Sequence, residues 1–487
     1  MNLPDYNDVQ GIVVHGYKNL TQACYLLLRI RDAAAARDWI GKAPITTAEE
    51  QKSPPTTALQ IAFTPSGLRA LGVAENMIAQ FSREFIEGMA GDANRSRRLG
   101  DTGANHPKDW YWGGPDKPLD LVVMLFAKEN LDVWQQQVQK APWNDAFEEI
   151  AKPLTTADMH GREPFGFADG ISQPVFDWKR ERTTPGTTVD YSNEVALGEL
   201  LLGYPNEYGK YTDRPLLDTV DDPADDLLPA EDHTASKDLA LNGTYFVLRQ
   251  LEQDVRGFWR YIEQAAGPDP TRRDELAAAM VGRTLDGDPL IPASGEHEKP
   301  GEPRNAFTYD QDPMGTQCPF GAHIRRANPR NADYFGHPRE PVAKLGSLLG
   351  IPPPQLRDDL IASTRFHRIL RRGREYREPS GEHTIPGEEP ATGLHFGCLG
   401  ANIGRQFEFV QNAWLMSTKF NGLNEESDPL LGNRAPMGDC PVTGNFSIPR
   451  EGKVARRLTA LPQFVTVRGG AYFFLPSLRA LRYITRA

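Results

Sequence analysis

Cysteine is scarce. Cys24, Cys318, Cys398 and Cys440 are the only four in 487 residues, and no two sit at Cys-x-x-Cys spacing. That excludes a zinc or iron–sulfur signature and reads as reduced thiols in a cytoplasmic protein. Positive charge is also in deficit. Lys and Arg number 54 against 65 Asp and Glu, a net charge of −11, which argues against a nucleic-acid or anionic-membrane partner. No apolar run is long enough to cross a bilayer. Met1–Tyr6 carries no basic stretch followed by an apolar one, so neither a secretory nor a twin-arginine leader is expected.

What the chain does have is strands alternating with helices, the signature of layered packing. Apolar runs at Gly11–Val14, Cys24–Ile30, Leu59–Phe63 and Leu121–Phe126 read as strands. Asp32 is placed to cap a helix reaching Trp39 and Ile40, Pro65 opens another, and a third runs from about Glu129 to Val138. The pattern then returns. Asn242–Arg249 reads as a strand leading into a helix with Trp259, and Tyr25, Arg29 and Trp39 map onto Tyr245, Arg249 and Trp259 by one offset of 220 (245 − 25, 249 − 29, 259 − 39). Phe396–Leu399 followed by Asn402-Ile403 echoes Leu125-Phe126 followed by Asn130-Leu131. Repetition at so long a period implies two copies of one α+β module. The expected division is a first module over 1–178, connecting loops over 179–237 and a second module over 238–487. The acidic run Asp221–Asp226 and the Pro/Gly-rich insertion Asp286–Pro303 read as solvated loop.

Four stretches could carry chemistry. The densest is Arg162-Glu163-Pro164-Phe165-Gly166-Phe167-Ala168-Asp169-Gly170-Ile171-Ser172-Gln173-Pro174. Gly166 and Gly170 permit sharp turns and close backbone approach to a planar ligand, and Phe165 and Phe167 give the Asp169 carboxylate an apolar wall that raises its pKa. Alone, the motif also fits a tight turn with a locally bonded Asp. The second is Cys318-Pro319-Phe320-Gly321-Ala322-His323, followed by Arg325, Arg326 and Arg330. Imidazole is the commonest metal ligand and guanidinium binds carboxylates bidentately, although a His beside arginines also suits a structural or anion site. The third, His367-Arg368-Ile369-Leu370-Arg371-Arg372-Gly373-Arg374, is strongly basic and also fits a solvated strand. The fourth runs from Gly393-Leu394-His395-Phe396 to Arg405-Gln406-Phe407-Glu408, an apolar strand feeding a helix.

Together these stretches, with Gly198-Glu199-Leu200-Leu201-Leu202-Gly203-Tyr204-Pro205-Asn206-Glu207-Tyr208-Gly209 and Phe473-Phe474-Leu475-Pro476, resemble the dye-decolorizing peroxidases over nearly the whole chain. The resemblance implies an α+β fold of two ferredoxin-like modules forming a barrel-like pair, with one haem b per chain held mainly by the second. It makes His323 the iron ligand, Asp169 the distal acid and Arg371 the distal arginine. Leu394 and Phe396 become the apolar lining of the distal pocket; two apart on a strand, they share a face. Phe167, Gly170 and Arg325 join the haem contacts, and Glu408 is cast as the acceptor for the other nitrogen of His323. Pro164 is a departure, standing where many relatives carry His or another polar residue. The implied reaction reduces hydrogen peroxide while oxidising small aromatic donors, dyes and phenolics, by one-electron steps. Haem handling with iron release, or haem sensing, are the alternatives. The charge balance and the lack of a spanning apolar run argue against a membrane partner, and an oligomer is possible. Among surface candidates for relaying electrons, Trp110-Tyr111-Trp112 has the most exposed-looking flanks.

Overall fold

The computed structural model describes residues 3–158, 160–181, 194–218, 224–291, 303–305, 307–309, 311–330, 364–377, 390–434 and 443–486. Cys440 lies outside them, as do parts of the acidic run and of the Asp286–Pro303 insertion.

The first half runs β1 (Gln22–Ile30), α1 (Ala33–Lys42), β2 (Thr57–Phe63), β3 (Leu121–Ala127), α2 (Leu131–Val138) and β4 (Phe147–Glu149), with short helices between β2 and β3. The Asp32 side chain accepts the Ala35 N–H at 2.8 Å, which starts α1 where a short acceptor before an alanine-rich run should. The second half runs β5 (Thr244–Gln253), α3 (Val255–Ala266), α4 (Pro270–Val281), α5 (His323–Ala327), the short strands β6 (Leu370–Arg371) and β7 (Arg374–Arg377), and β8 (Thr392–Gly400). A wide-turned π-helix over Gly404–Glu408 and Val410–Met416 follows, then β9 (Val465–Leu475) and a terminal helix over Leu478–Arg486.

One sheet joins the two halves in the order β6-β8-β5-β9-β2-β3-β1-β4, with β7 also on β8. Taking β6 as the second strand of its half, each half contributes second, third, first, fourth. This is the ferredoxin-like order, used twice. The halves meet at the single pair Phe474–Phe63. At the far ends, Leu154–Thr155 pairs with β1, and Ala157 donates to Glu375 O at 2.9 Å, so the sheet curls back upon itself.

Alternation along the strands builds two cores. Cys24, Leu26 and Leu28 pack under the helices with Trp39 and Ile40; Ala23, Tyr25 and Leu27 face the opposite side with Val122, Met124 and Phe126. In β5 it is Tyr245, Val247 and Leu251 that pack under the helices. The offset of 220 therefore pairs Tyr25 with a residue on the other face, and pairs exposed Arg29 with buried Arg249. The duplication lies in the topology; a one-residue slip inverts every strand side chain, so the Tyr and Arg matches do not share environments, while Trp39 and Trp259 both pack on the helix-side core. A second correction concerns Gly11–Val13, which is a 3-10 turn. Val13 and Val14 donate back to Gln10 and Gly11, and the ladder position at Ile61 is taken by the Gln10 side chain.

Candidate active site

A cavity lies between the helix-covered face of the second half and the helices above it. Its floor comes from three neighbouring strands: Leu394 and Phe396 on β8, Arg249, Leu251 and Gln253 on β5, Val465 and Val467 on β9. The register sets Arg249 opposite Phe396 and Leu251 opposite both Leu394 and Val467, so these side chains share one face. Phe407, Val410, Gln411 and Leu415 of the π-helix close one wall, and Phe165, Phe167 and Asp169 of the first half close another. A π-helix widens the turn and commonly marks functional sites.

Asp169 lies 154 and 202 positions before His323 and Arg371 (323 − 169, 371 − 169), yet all three face this cavity. His323 opens α5, and its Nδ1 meets Asp428 Oδ2 at 3.0 Å. Asp428 is fully buried, and its Oδ1 accepts the Leu430 and Leu431 N–H groups at 2.9 and 2.8 Å, so the carboxylate is held rigidly. Burial lowers the His323 pKa, but the Asp428 charge and hydrogen bond outweigh it and the net shift is upward. Arg371 Nη1 donates to Asp169 Oδ1 at 2.8 Å. The two keep 32 % and 36 % of their side-chain surface open, and it opens onto the cavity that both line. Burial pushes the Asp169 carboxyl up, yet the Arg371 charge, the Gly170 N–H and the Arg371 hydrogen bond together carry it below the ordinary carboxylate range. The apolar wall expected from Phe165 and Phe167 exists, but its effect is outweighed by the guanidinium and the Gly170 N–H together.

Gly166 and Gly170 both have positive φ, 101° and 78°, which l-residues with a Cβ rarely adopt. Phe167 lines the cavity, whereas Gly170 does not; it bends the chain behind Asp169 and donates its N–H to that carboxylate.

Arg325 does not reach the cavity. It is 1 % exposed, donates to Asp312 Oδ2 at 2.9 Å and Cys318 O at 2.6 Å, and lies over the Tyr309 and Phe320 rings. Two residues along a helix turn the side chain by about 200°, so His323 and Arg325 face opposite ways. Glu408 is likewise not the partner of His323. It accepts from Tyr472 Oη at 3.0 Å and pairs with Arg95 Nε at 2.8 Å, because the helix turns Phe407 and Val410, rather than Glu408, toward the cavity. Asp428 does what Glu408 was expected to do. It lies 105 positions from His323 in Glu426-Ser427-Asp428-Pro429, with no periodic signal to mark it. In Trp110-Tyr111-Trp112 only Tyr111 is exposed; both tryptophans are buried and spend their indole N–H on Asn105 O and Gln250 Oε1.

A second imidazole, His367, also faces the cavity, with Nδ1 2.6 Å from Arg405 O and the ring stacked on Phe409. Burial takes its pKa down to about 4.

The donor set suits a haem. A largely apolar cavity presents one imidazole backed by a carboxylate. The same cavity is bordered by Arg283, Asn328, Arg330 and Arg368. Arg283 Nη2 and Asn328 Nδ2 are buried with no hydrogen-bond partner among the described residues. Burial also depresses Arg330 to about 10 and Arg368 to about 9. The unpaired Arg283 and Asn328 donors, beside the buried positive charge of Arg330 and Arg368, call for an anion, and two propionates would supply it.

Comparison with known proteins agrees. No family model matches the chain. It is 30 % identical to the multifunctional dye peroxidase DyP2 of Amycolatopsis sp. over 493 residues, covering 94 % of this chain and 91 % of that one. It is 27 % identical to the dye-decolorizing peroxidase AauDyP1 of Auricularia auricula-judae, over 98 % of this chain and 86 % of the other. An ancestral D-type dye-decolorizing peroxidase superposes with a TM-score of 0.71 at 26 % identity over 99 % of both chains. The chain belongs to the dye-decolorizing peroxidases, hydrogen-peroxide-dependent oxidoreductases that act on bulky dyes. Its family members are haem enzymes, and the haem-handling and sensor alternatives are not favoured. No helix among the described residues is long and apolar enough to cross a membrane.

Proposed function

We propose that this chain binds one haem b, which His323 would hold through Nε2, and activates hydrogen peroxide with Asp169 and Arg371. The observation that carries the reading is that one cavity is lined by both a carboxylate-backed imidazole and an Asp–Arg pair. Haem, when bound, supplies the redox chemistry that passes oxidising equivalents from peroxide to one-electron donors. The protein supplies the rest. Asp428 holds the Nδ1 proton of His323, which leaves the Nε2 lone pair for the metal and raises the ligand's basicity. Asp169 Oδ1 is engaged by Arg371, so Oδ2 takes a proton from one oxygen of hydrogen peroxide and returns it to the other, which leaves as water. The Arg371 charge offsets the negative charge that grows as the O–O bond parts. Leu394, Phe396 and Phe167 keep bulk water from competing at that carboxylate.

His367 is the less suitable ligand, since a carbonyl rather than a carboxylate backs it. On the division at 178 and 238, Asp169 comes from the first module and His323 and Arg371 from the second, so activity requires both. The oxidisable partners are small aromatic donors, dyes and phenolics among them. The buried thiols of Cys24, Cys318 and Cys398 support a cytoplasmic setting. The test is the Soret band of the purified protein and of His323→Ala and His367→Ala. Loss of stable haem in the first and retention in the second is expected. Full haem with an unshifted band in His323→Ala overturns the assignment.

A further inference from the structure

Glu163 is a carboxylate on the cavity wall that none of the steps above employs. Its Oε1 accepts the Phe167 N–H at 2.9 Å; its Oε2 accepts the Phe165 N–H at 3.0 Å and the Gln253 amide at 2.8 Å. Its backbone closes the same loop from the other side, with Gly166 N–H donating to Glu163 O at 2.8 Å and Glu163 N–H to Phe167 O at 2.9 Å. Residues 163–167 thus form a ring tied at the centre by one side chain and anchored through Gln253 to the end of β5. The chain leaves this ring and reaches Asp169 two residues later, with the Ala168 and Asp169 N–H groups bound to Leu285 O and Gly161 O, each at 2.9 Å. Arg162 Nη1 braces the outside through Gly166 O at 2.8 Å and Leu285 O at 2.9 Å.

We infer that Glu163 is a positioning residue for proton transfer, acting through Asp169 by locking the loop that presents this carboxylate to Arg371. Three donors converge on its two oxygens, which only an acceptor-only group can satisfy. An amide at this position sets N–H against N–H at one of them and releases one side of the ring. Burial raises the Glu163 pKa despite the hydrogen bonds from Gln253, Phe165 and Phe167, and the Asp169 charge raises it further, so the two carboxylates sense one another across the wall. The inference rests on Asp169 being the distal base.

The experiment uses haem-loaded full-length protein and three variants: Glu163→Gln, Gln253→Met and Asp169→Asn. Cyanide affinity is read from the Soret shift, because hydrogen cyanide must also lose its proton to a distal base, alongside kcat and KM for peroxide. Glu163→Gln is expected to weaken cyanide binding and lower kcat by about 10-fold or more, the scale of a small misplacement of a reacting group, with haem content unchanged. Gln253→Met is expected to shift both in the same direction by less. Wild-type cyanide affinity and kcat in haem-loaded Glu163→Gln overturn the inference; if that variant does not load haem, wild-type values in Gln253→Met overturn it. If Asp169→Asn moves both readouts and the other two variants move neither, only the role of Glu163 falls. If Asp169→Asn moves neither, the proposed function itself falls.

Discussion

At the scale of single residues, the site is a balance between burial and pairing. Asp169 is buried enough to favour its neutral form, and the Arg371 guanidinium at 2.8 Å reverses that. The sign of the pH dependence follows. A depressed carboxyl stays ionised through mildly acidic solution and is lost as base only when pH falls through its folded pKa, below the ordinary value of ~3.9. The rate of reaction with peroxide should therefore hold steady down through about pH 4 and fall below it, measured by stopped-flow absorbance. Asp169→Asn, which keeps the shape and removes the base, should slow that step by about 10²-fold or more wherever wild-type Asp169 is ionised, with the gap closing along the acid limb. Arg371→Leu should slow it too, and should move the acid limb to higher pH because burial then acts on Asp169 against only the Gly170 N–H and the His323 charge. An acid limb that stays in place in Arg371→Leu contradicts this account of Asp169. On the other side of the cavity, Asp428→Asn should cost roughly 10- to 100-fold in haem affinity or activity, checked by haem transfer to apomyoglobin. Glu408→Gln should leave the haem's axial ligation unaltered, since Glu408 bonds Tyr472 and Arg95 instead.

At the scale of elements, the legible features were those with local physical causes. Asp32 before an alanine-rich run announces a helix start, and the side chain does accept the Ala35 N–H. Asp32→Ala should lower the unfolding free energy by about 1 kcal/mol in denaturant titration, without changing the haem spectrum. The central strands were legible because they are continuously apolar, covered on both faces. The same property hid their register. With apolar residues on both sides, nothing in Cys24–Leu28 or Tyr245–Leu251 says which alternate set meets the helices, and the offset of 220 settled on the wrong one. Gly11–Val13 was misread for a related reason. Its composition is strand-like, but the strand position beside Ile61 is filled by the Gln10 amide, a contact 51 residues away in sequence. The wide turns of the π-helix, which decide that Phe407 rather than Glu408 faces the cavity, leave no mark in the residue pattern at all.

At the scale of the whole molecule, buried charge sets how stability responds to pH. Glu199, from the Gly198–Gly209 stretch, is fully buried. Burial drives its pKa up to about 7, although Arg405 and the Glu207 N–H oppose the shift. A carboxyl raised on folding makes the native state bind the extra proton. Its contribution is present below the unfolded value of ~4.3 and is lost as pH rises to about 7. The unfolding free energy should slope downward across that interval, and the slope should flatten in Glu199→Gln, measured by urea titration at several pH values. An unchanged slope means that Glu199 stays ionised in the fold. Asp101 adds to the same trend; burial takes it to about 6 despite the Arg249 beside it.

By itself the sequence determined the family, the repeated α+β plan and three of the groups that meet at the cavity, because several short motifs, each ambiguous alone, occur together along one chain. His323 follows Cys-Pro-Phe-Gly-Ala, Asp169 sits between two glycines that must take positive φ, and Arg371 ends an apolar pair. Tertiary structure alone decided the partners. Asp428 reaches His323 across 105 positions, Asp169 meets Arg371 across 202, and Arg325 turns away from the cavity that its neighbour His323 faces. A hydrogen bond depends on where two backbones bring their side chains, not on what either segment contains. The ferredoxin-like halves, joined through one sheet and closed where Ala157 meets Glu375, are what bring them there.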